Sequence, residues 1–161
     1  VTSISSHRYR MTTRIVFDEW IPAADYTIAV NKLDSVCIIM GELLDSYYVK
    51  DYSVAQYKAR TDEYMNTLGG KVDIWEIGNE VNGEWLGHKD SVKAKINYAY
   101  DKANSLQYRT ALTLYYNKDC WENPQNEIMY LYHITKMTAI IFSQTGSGFL
   151  IAFTLFSRIH I

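Results

Sequence analysis

The chain has 161 residues, of which 48% are hydrophobic and 21% charged, and a formal net charge of −2. This is one domain's worth of ordinary globular material, which excludes a disordered tail or a coiled coil. A pI near 6.1 leaves no basic surface for phosphate-driven binding, so no nucleic acid partner is expected. No run approaches the roughly 18 to 20 continuous apolar residues of a membrane helix, so no membrane partner is expected either. The chain begins at Val1 and shows no charged-then-apolar leader, so no signal peptide is visible.

Residues 1–13 are polar and basic without a clear period. Arg14 to Trp20, RIVFDEW, is a short run of β-formers ending in acids and an indole. Ile21-Pro22 breaks that strand, and Ala23 to Leu33 carries Ile28, Ala29 and Leu33 at helical spacing. Val36 to Leu43 reads as a second buried strand, followed by acids at Glu42 and Asp45. Ser53 is a candidate N-cap for a helix to about Leu68, stopped by Gly69-Gly70. Val72 to Gly78 is the third strand, and Asp90 or Ser91 caps a helix to about Leu106. Thr110 to Tyr116 is the fourth strand, and Asn123-Pro124 opens another helix with Glu127 in its first turn.

Apolar strands alternating with helices imply a parallel sheet, either a (β/α) barrel or an open doubly wound sheet. No Gly-rich phosphate loop follows the first strand, which weighs against a nucleotide site. From Met137 to Ile161 the chain has no acidic residue, and Gly146-Ser147-Gly148 separates two apolar runs, Ala139 to Phe142 and Phe149 to Phe156. This tail is either a further strand or helix pair of the core or a departure from the parent fold. The domain division is therefore a βα region over 1–136, the part for which the resemblance given below implies a partial barrel, and an apolar tail of uncertain origin over 137–161.

Cys37 lies in an apolar run and reads as a small core residue; Cys120 is a free thiol or has its partner elsewhere. His7, His88, His133 and His160 show no metal-ligand spacing, so neither a metal nor another cofactor is expected.

The stretch that carries chemistry is Lys71 to Trp85, KVDIWEIGNEVNGEW. A buried strand runs directly into Asn79-Glu80 and then into a polar loop closed by Trp85. In a barrel, functional groups gather at the C-terminal ends of the strands. Here those ends hold Asp18-Glu19-Trp20, Glu42 with Asp45, Asn79-Glu80, and Tyr115-Tyr116-Asn117. The bland alternative is that βα loops are polar because they are exposed. Trp20, Trp85 and Trp121 could stack on sugar rings and equally suit packing. By alternation Glu76 shares the Glu80 side as a hydrogen-bonded structural carboxylate, and Trp75 faces a helix. Glu84 reads as solvated.

Trp75-Glu76-Ile77-Gly78-Asn79-Glu80 resembles the fourth-strand motif of the clan A glycoside hydrolases, which are retaining (β/α)8 barrels. The resemblance covers about Arg14 to Tyr132. It implies an α/β fold, a partial TIM barrel of about four parallel βα units. It further implies hydrolysis of O-glycosidic bonds in a poly- or oligosaccharide, with Glu80 as general acid/base and Asn79 on the sugar 2-hydroxyl. Trp20, Glu42, Trp85, Tyr115 and Asn117 are the other candidate substrate contacts. Members of this kind are often secreted, which would make the chain extracellular. Retention needs a nucleophilic carboxylate about 5 Å from the acid, and in clan A it comes from the seventh strand. No Glu follows Glu127 here, so turnover is expected to be impaired. The alternative is a non-catalytic α/β binding or interaction domain. Open sheet edges would in either case offer a route to self-association.

Overall fold

The computed structural model describes residues 1–116, 122–124, 138–142 and 149–154. Strands β1 (Thr12–Val16), β2 (Ile38–Glu42), β3 (Ile74–Gly78) and β4 (Arg109–Tyr116) are joined to β5 (Thr138–Phe142) and β6 (Phe149–Thr154). The helices are α1 (Thr2–Ser5), α2 (Thr27–Asp34), α3 (Val54–Leu68) and α4 (Lys89–Ser105). All six strands form one sheet in the order β1-β2-β3-β4-β6-β5. The first four are parallel and sequential, with Val16, Glu42, Glu76 and Ala111 in one row across them.

Because the four parallel strands advance in one direction, right-handed crossovers put their connecting helices on one face. Contacts of α2 with α3, and of α3 with α4, agree. That face holds the core, where Phe17, Ile39, Leu43, Trp75 and Ile77 meet Val30, Tyr64, Met65, Leu68, Ile96 and Ala99. Cys37 is buried there too, its Sγ 3.2 Å from the Leu33 carbonyl oxygen. Row-mates Glu42 and Glu76 belong to the opposite face, away from the helices.

Local signals account for most boundaries. Ser53 caps α3 through a reciprocal box with Gln56, and Gly69–Lys71 ends it in a short 3-10 turn. At α4 the cap is His88 rather than Asp90 or Ser91, its Nδ1 accepting from the Asp90 amide at 3.3 Å. The first strand is shorter than expected and shifted towards the N-terminus, ending at Val16. Phe17 and the acids after it already belong to the loop, with the Phe17 and Asp18 carbonyls turned to Arg60.

The tail differs in kind. Its two apolar runs form an antiparallel hairpin, β5 with β6, and β6 pairs antiparallel with β4 through Leu112↔Phe153 to Tyr116↔Phe149. The βα succession therefore gives way to antiparallel pairing after β4. Among the described residues the sheet is open, with β1 and β5 as its edges. Cys120, Trp121 and the helix expected after Asn123-Pro124 lie outside the described residues.

Arg60 of α3 fastens the C-terminal ends of two strands. Its Nε donates to the Leu43 carbonyl at 2.7 Å, and Nη2 donates to those of Phe17 and Asp18 at 3.0 and 2.8 Å. The guanidinium lies over the ring of Tyr64, 4.3 Å from its centroid. Replacing Arg60 with Leu orphans three carbonyls in a dry region, so a loss of about 3 kcal/mol is expected from urea unfolding midpoints. Arg60→Lys should recover only a minor part of it, because an ammonium cannot reproduce the planar fork.

Candidate functional site

The site grows from a register fault. Pairing of β3 with β4 shifts between Glu76 and Gly78, and a bulge of this kind re-aims the residues that follow. Simple alternation predicts Glu80 beside Glu76. The Asn79 amide faces Glu76 as well, and the chain turns at Glu80 with a left-handed φ of +47°. The Glu80 amide donates to Thr113 Oγ1 at 3.0 Å, and the Val81 amide to the Thr113 carbonyl at 3.1 Å. These bonds hold a backbone conformation that a non-glycine residue otherwise resists.

Beneath the turn lies a charge cluster that spans three strands. Arg14 of β1 donates from Nε to Glu76 Oε2 at 2.6 Å and from Nη2 to Glu76 Oε1 at 3.0 Å. The same Nη2 lies 2.6 Å from Glu42 Oε2. Thr113 Oγ1 donates to Glu76 Oε1 at 2.9 Å, since its lone pairs already accept from Asn79 Nδ2 and the Glu80 amide. Glu76 is thus surrounded by donors, which suits a carboxylate.

Glu42 is placed differently. It is fully buried, neither oxygen has an aligned hydrogen bond among the described residues, and its contact with Arg14 is an ion-pair approach only. Two buried carboxylates beside one guanidinium hold a proton between them, and the bonding pattern assigns it to Glu42. Burial pushes the Glu42 carboxyl up to about 8, with the Glu76 charge adding to the effect and Arg14 opposing it; Asp45 and Glu80 raise it further.

Glu80 is half-buried. Its Oε2 accepts from Ser46 Oγ at 2.7 Å, and the Ser46 amide donates to Asn79 Oδ1 at 3.1 Å. Trp85 Nε1 donates to Ser46 Oγ at 3.0 Å. Burial raises the Glu80 carboxyl above its ordinary range; the Ser46 hydrogen bond and Arg14 pull it down, while Asp45 and Glu76 push it up.

Among the expected site residues, Glu80, Asn79, Glu42 and Trp85 come together around Ser46 and Arg14. Glu42 has no exposed surface, which removes it as a direct substrate contact. Asn79 is 5% exposed and its amide is engaged at both ends, so here it anchors the turn rather than offering itself to a sugar hydroxyl. Trp85 is partly buried, edge-on to Tyr115 with centroids 5.1 Å apart. The Tyr115 backbone is paired on both sides by the Asn82 amide. Trp20 is 58% exposed and stacks on Tyr52 at 4.2 Å; among the described residues it is the expected aromatic with a broad exposed surface. Asn117 lies outside the described residues. Glu84, expected to be solvated, accepts from the amides of Glu122 and Asn123.

Arg14, Ser46 and Thr113 were not singled out in the sequence. Arg14 had a signal, a lone cation inside an apolar strand; Ser46 had none. Among the described residues no cluster of His, Cys, Asp and Glu could hold a metal ion, and no helix is long and apolar enough to cross a membrane.

The Glu42 proton has a consequence for stability. Between about 4.5, the ordinary glutamate value, and 8, the folded chain keeps a proton that the unfolded chain releases. Stability must therefore fall as pH rises through that window, by up to about 1.4 kcal/mol per pH unit. Glu42→Gln should flatten the decline and be relatively more stable at pH 8. Urea midpoints at pH 5, 6.5 and 8 check this, and an unaltered slope would move the proton elsewhere.

The chain matches no family model, no curated protein and no solved structure.

Proposed function

We propose that the chain carries the acid/base half of a retaining glycoside hydrolase site, built on part of a (β/α)8 barrel. One observation carries the reading. Glu80 stands at the C-terminal end of a buried parallel strand, half-buried, with its carboxyl raised by burial and by neighbouring carboxylates. That is the environment a general acid for a glycosidic oxygen requires. The sequential order of the four parallel strands supports the barrel part, because the parallel strands of a doubly wound sheet reverse direction and these four do not.

In this reading an oligosaccharide lies along the C-terminal rim, with the exposed face of Trp20 as a stacking surface. Glu80 protonates the leaving oxygen and then activates water. The carboxylates around it are engaged otherwise: Asp45 accepts the Tyr47 amide as a cap, Glu76 is saturated by donors and Glu42 is buried. Among the described residues no free partner carboxylate for the retaining mechanism stands beside Glu80, and hydrolysis by this chain is slow or absent.

A small anion can stand in for a missing nucleophile. In formate buffer the chain should cleave aryl glycosides with poor leaving groups, across a panel of sugars. Glu80→Gln should lower that rate by about 10²- to 10⁴-fold, the usual worth of general acid catalysis. Formate-dependent turnover that Glu80→Gln leaves intact would remove Glu80 from the mechanism. Silence across the whole panel would favour a non-catalytic carbohydrate-binding or interaction domain.

A further inference from the structure

Three short pieces of chain meet around one hydroxyl. Residues Ser46–Asp51 and Glu84–Leu86 form two 3-10 turns that touch each other above the end of β3. Ser46 opens the first and is 3% exposed, while Trp85 sits in the middle of the second. From below, buried Lys95 of α4 donates its Nζ to the Val49 carbonyl at 2.8 Å and pins the first turn in place. A serine hydroxyl has one proton and two acceptor lone pairs. At Ser46 the Trp85 indole N–H occupies an acceptor position at 3.0 Å, and Glu80 Oε2 lies 2.7 Å away. The indole can only donate and the carboxylate oxygen accepts, so the direction of the chain is determined from Trp85 through Ser46 to Glu80.

We propose that Trp85 and Ser46 form a one-way donor chain that fixes the Glu80 carboxyl, commits its Oε2 to accepting, and leaves Oε1 as the oxygen that exchanges a proton with a ligand. Among the described residues Oε1 takes no hydrogen bond, so it is available to a glycosidic oxygen. Ser46 is then a positioning residue, and Trp85 acts through it as a donor rather than as a stacking platform. The other charges facing Glu80 are Asp45 after β2, Glu42 on β2, Arg14 on β1 and Glu76 on its own strand. The donor chain works against the carboxylates among them and on the side of Arg14. Indole polarises the hydroxyl, and a hydrogen bond from a polarised hydroxyl favours the ionised carboxyl.

The inference depends on Glu80 as the proton-exchanging group of the proposed site, but its test needs no substrate. Side-chain carboxyl carbons are followed by ¹³C NMR titration in protein labelled at Glu, with Glu80 assigned by its loss in Glu80→Gln. Ser46→Ala should move the Glu80 titration upward by roughly half a pH unit or more, and Trp85→Phe should move it in the same direction by less. Ser46→Thr retains the hydroxyl and should restore the wild-type midpoint. The Trp85 indole proton should resonate downfield in the wild type and lose that shift in Ser46→Ala. Amide spectra report whether each variant is folded. If one of the two fails to fold, the other decides. A Glu80 midpoint unchanged in a folded Ser46→Ala or Trp85→Phe overturns the donor chain. The expected NMR shifts together with no formate-dependent turnover would overturn the hydrolase reading and leave the donor chain standing.

Discussion

The structure turns on one guanidinium. Glu42 and Glu76 are register partners on adjacent parallel strands, which brings their backbones within about 5 Å on the same face of the sheet. Two carboxyls so close and so dry share one proton, and Arg14 between them offsets the remaining charge. Arg14 sits two register positions lower on the neighbouring strand, on the same face and close enough to reach both. Its grip on Glu76 has further consequences. Glu76 accepts the Thr113 hydroxyl, Thr113 accepts the Glu80 amide, and so the turn that presents Glu80 rests on a cation two strands away.

A second cation works on the helix side. Arg60 reaches through the core from α3 to the backbone at the ends of β1 and β2, and Lys95 reaches from α4 to the turn after β2. Both cations hold carbonyls that sheet pairing leaves over where parallel strands end. The rim of the sheet is thus positioned from both faces, by an ion cluster on one and by backbone capture on the other. Such support matters for a site whose useful atoms sit on loops.

Much of the architecture was legible in local patterns. Four apolar runs alternating with helical periods specify parallel βα units, and the Ser53 to Gln56 box marks the start of α3. Long-range pairing was not legible, because it depends on which strands end up adjacent. Nothing in Arg14 announces that it will lie between Glu42 and Glu76, and nothing in Ser46 announces Glu80. The tail shows the limit from the other side. Its apolar runs signalled burial, but strand and helix are equally compatible with short apolar runs, and only pairing with β4 decides. Alternation put Glu80 on the Glu76 side, where its carboxyl feels Glu76 and Arg14, but did not show that a bulge after Glu76 also brings the Asn79 amide there.

Glu80 sits in a left-handed backbone conformation that glycine or asparagine would adopt with less strain. Relief of strain of this kind is worth roughly 1 kcal/mol. On backbone grounds alone, a residue without the carboxyl therefore suits this position better. Selecting variants for heat resistance alone would tend to erase Glu80, and a library screened that way would report the position as a defect. In the role proposed for Glu80, stability and proton chemistry make opposite demands on a single residue.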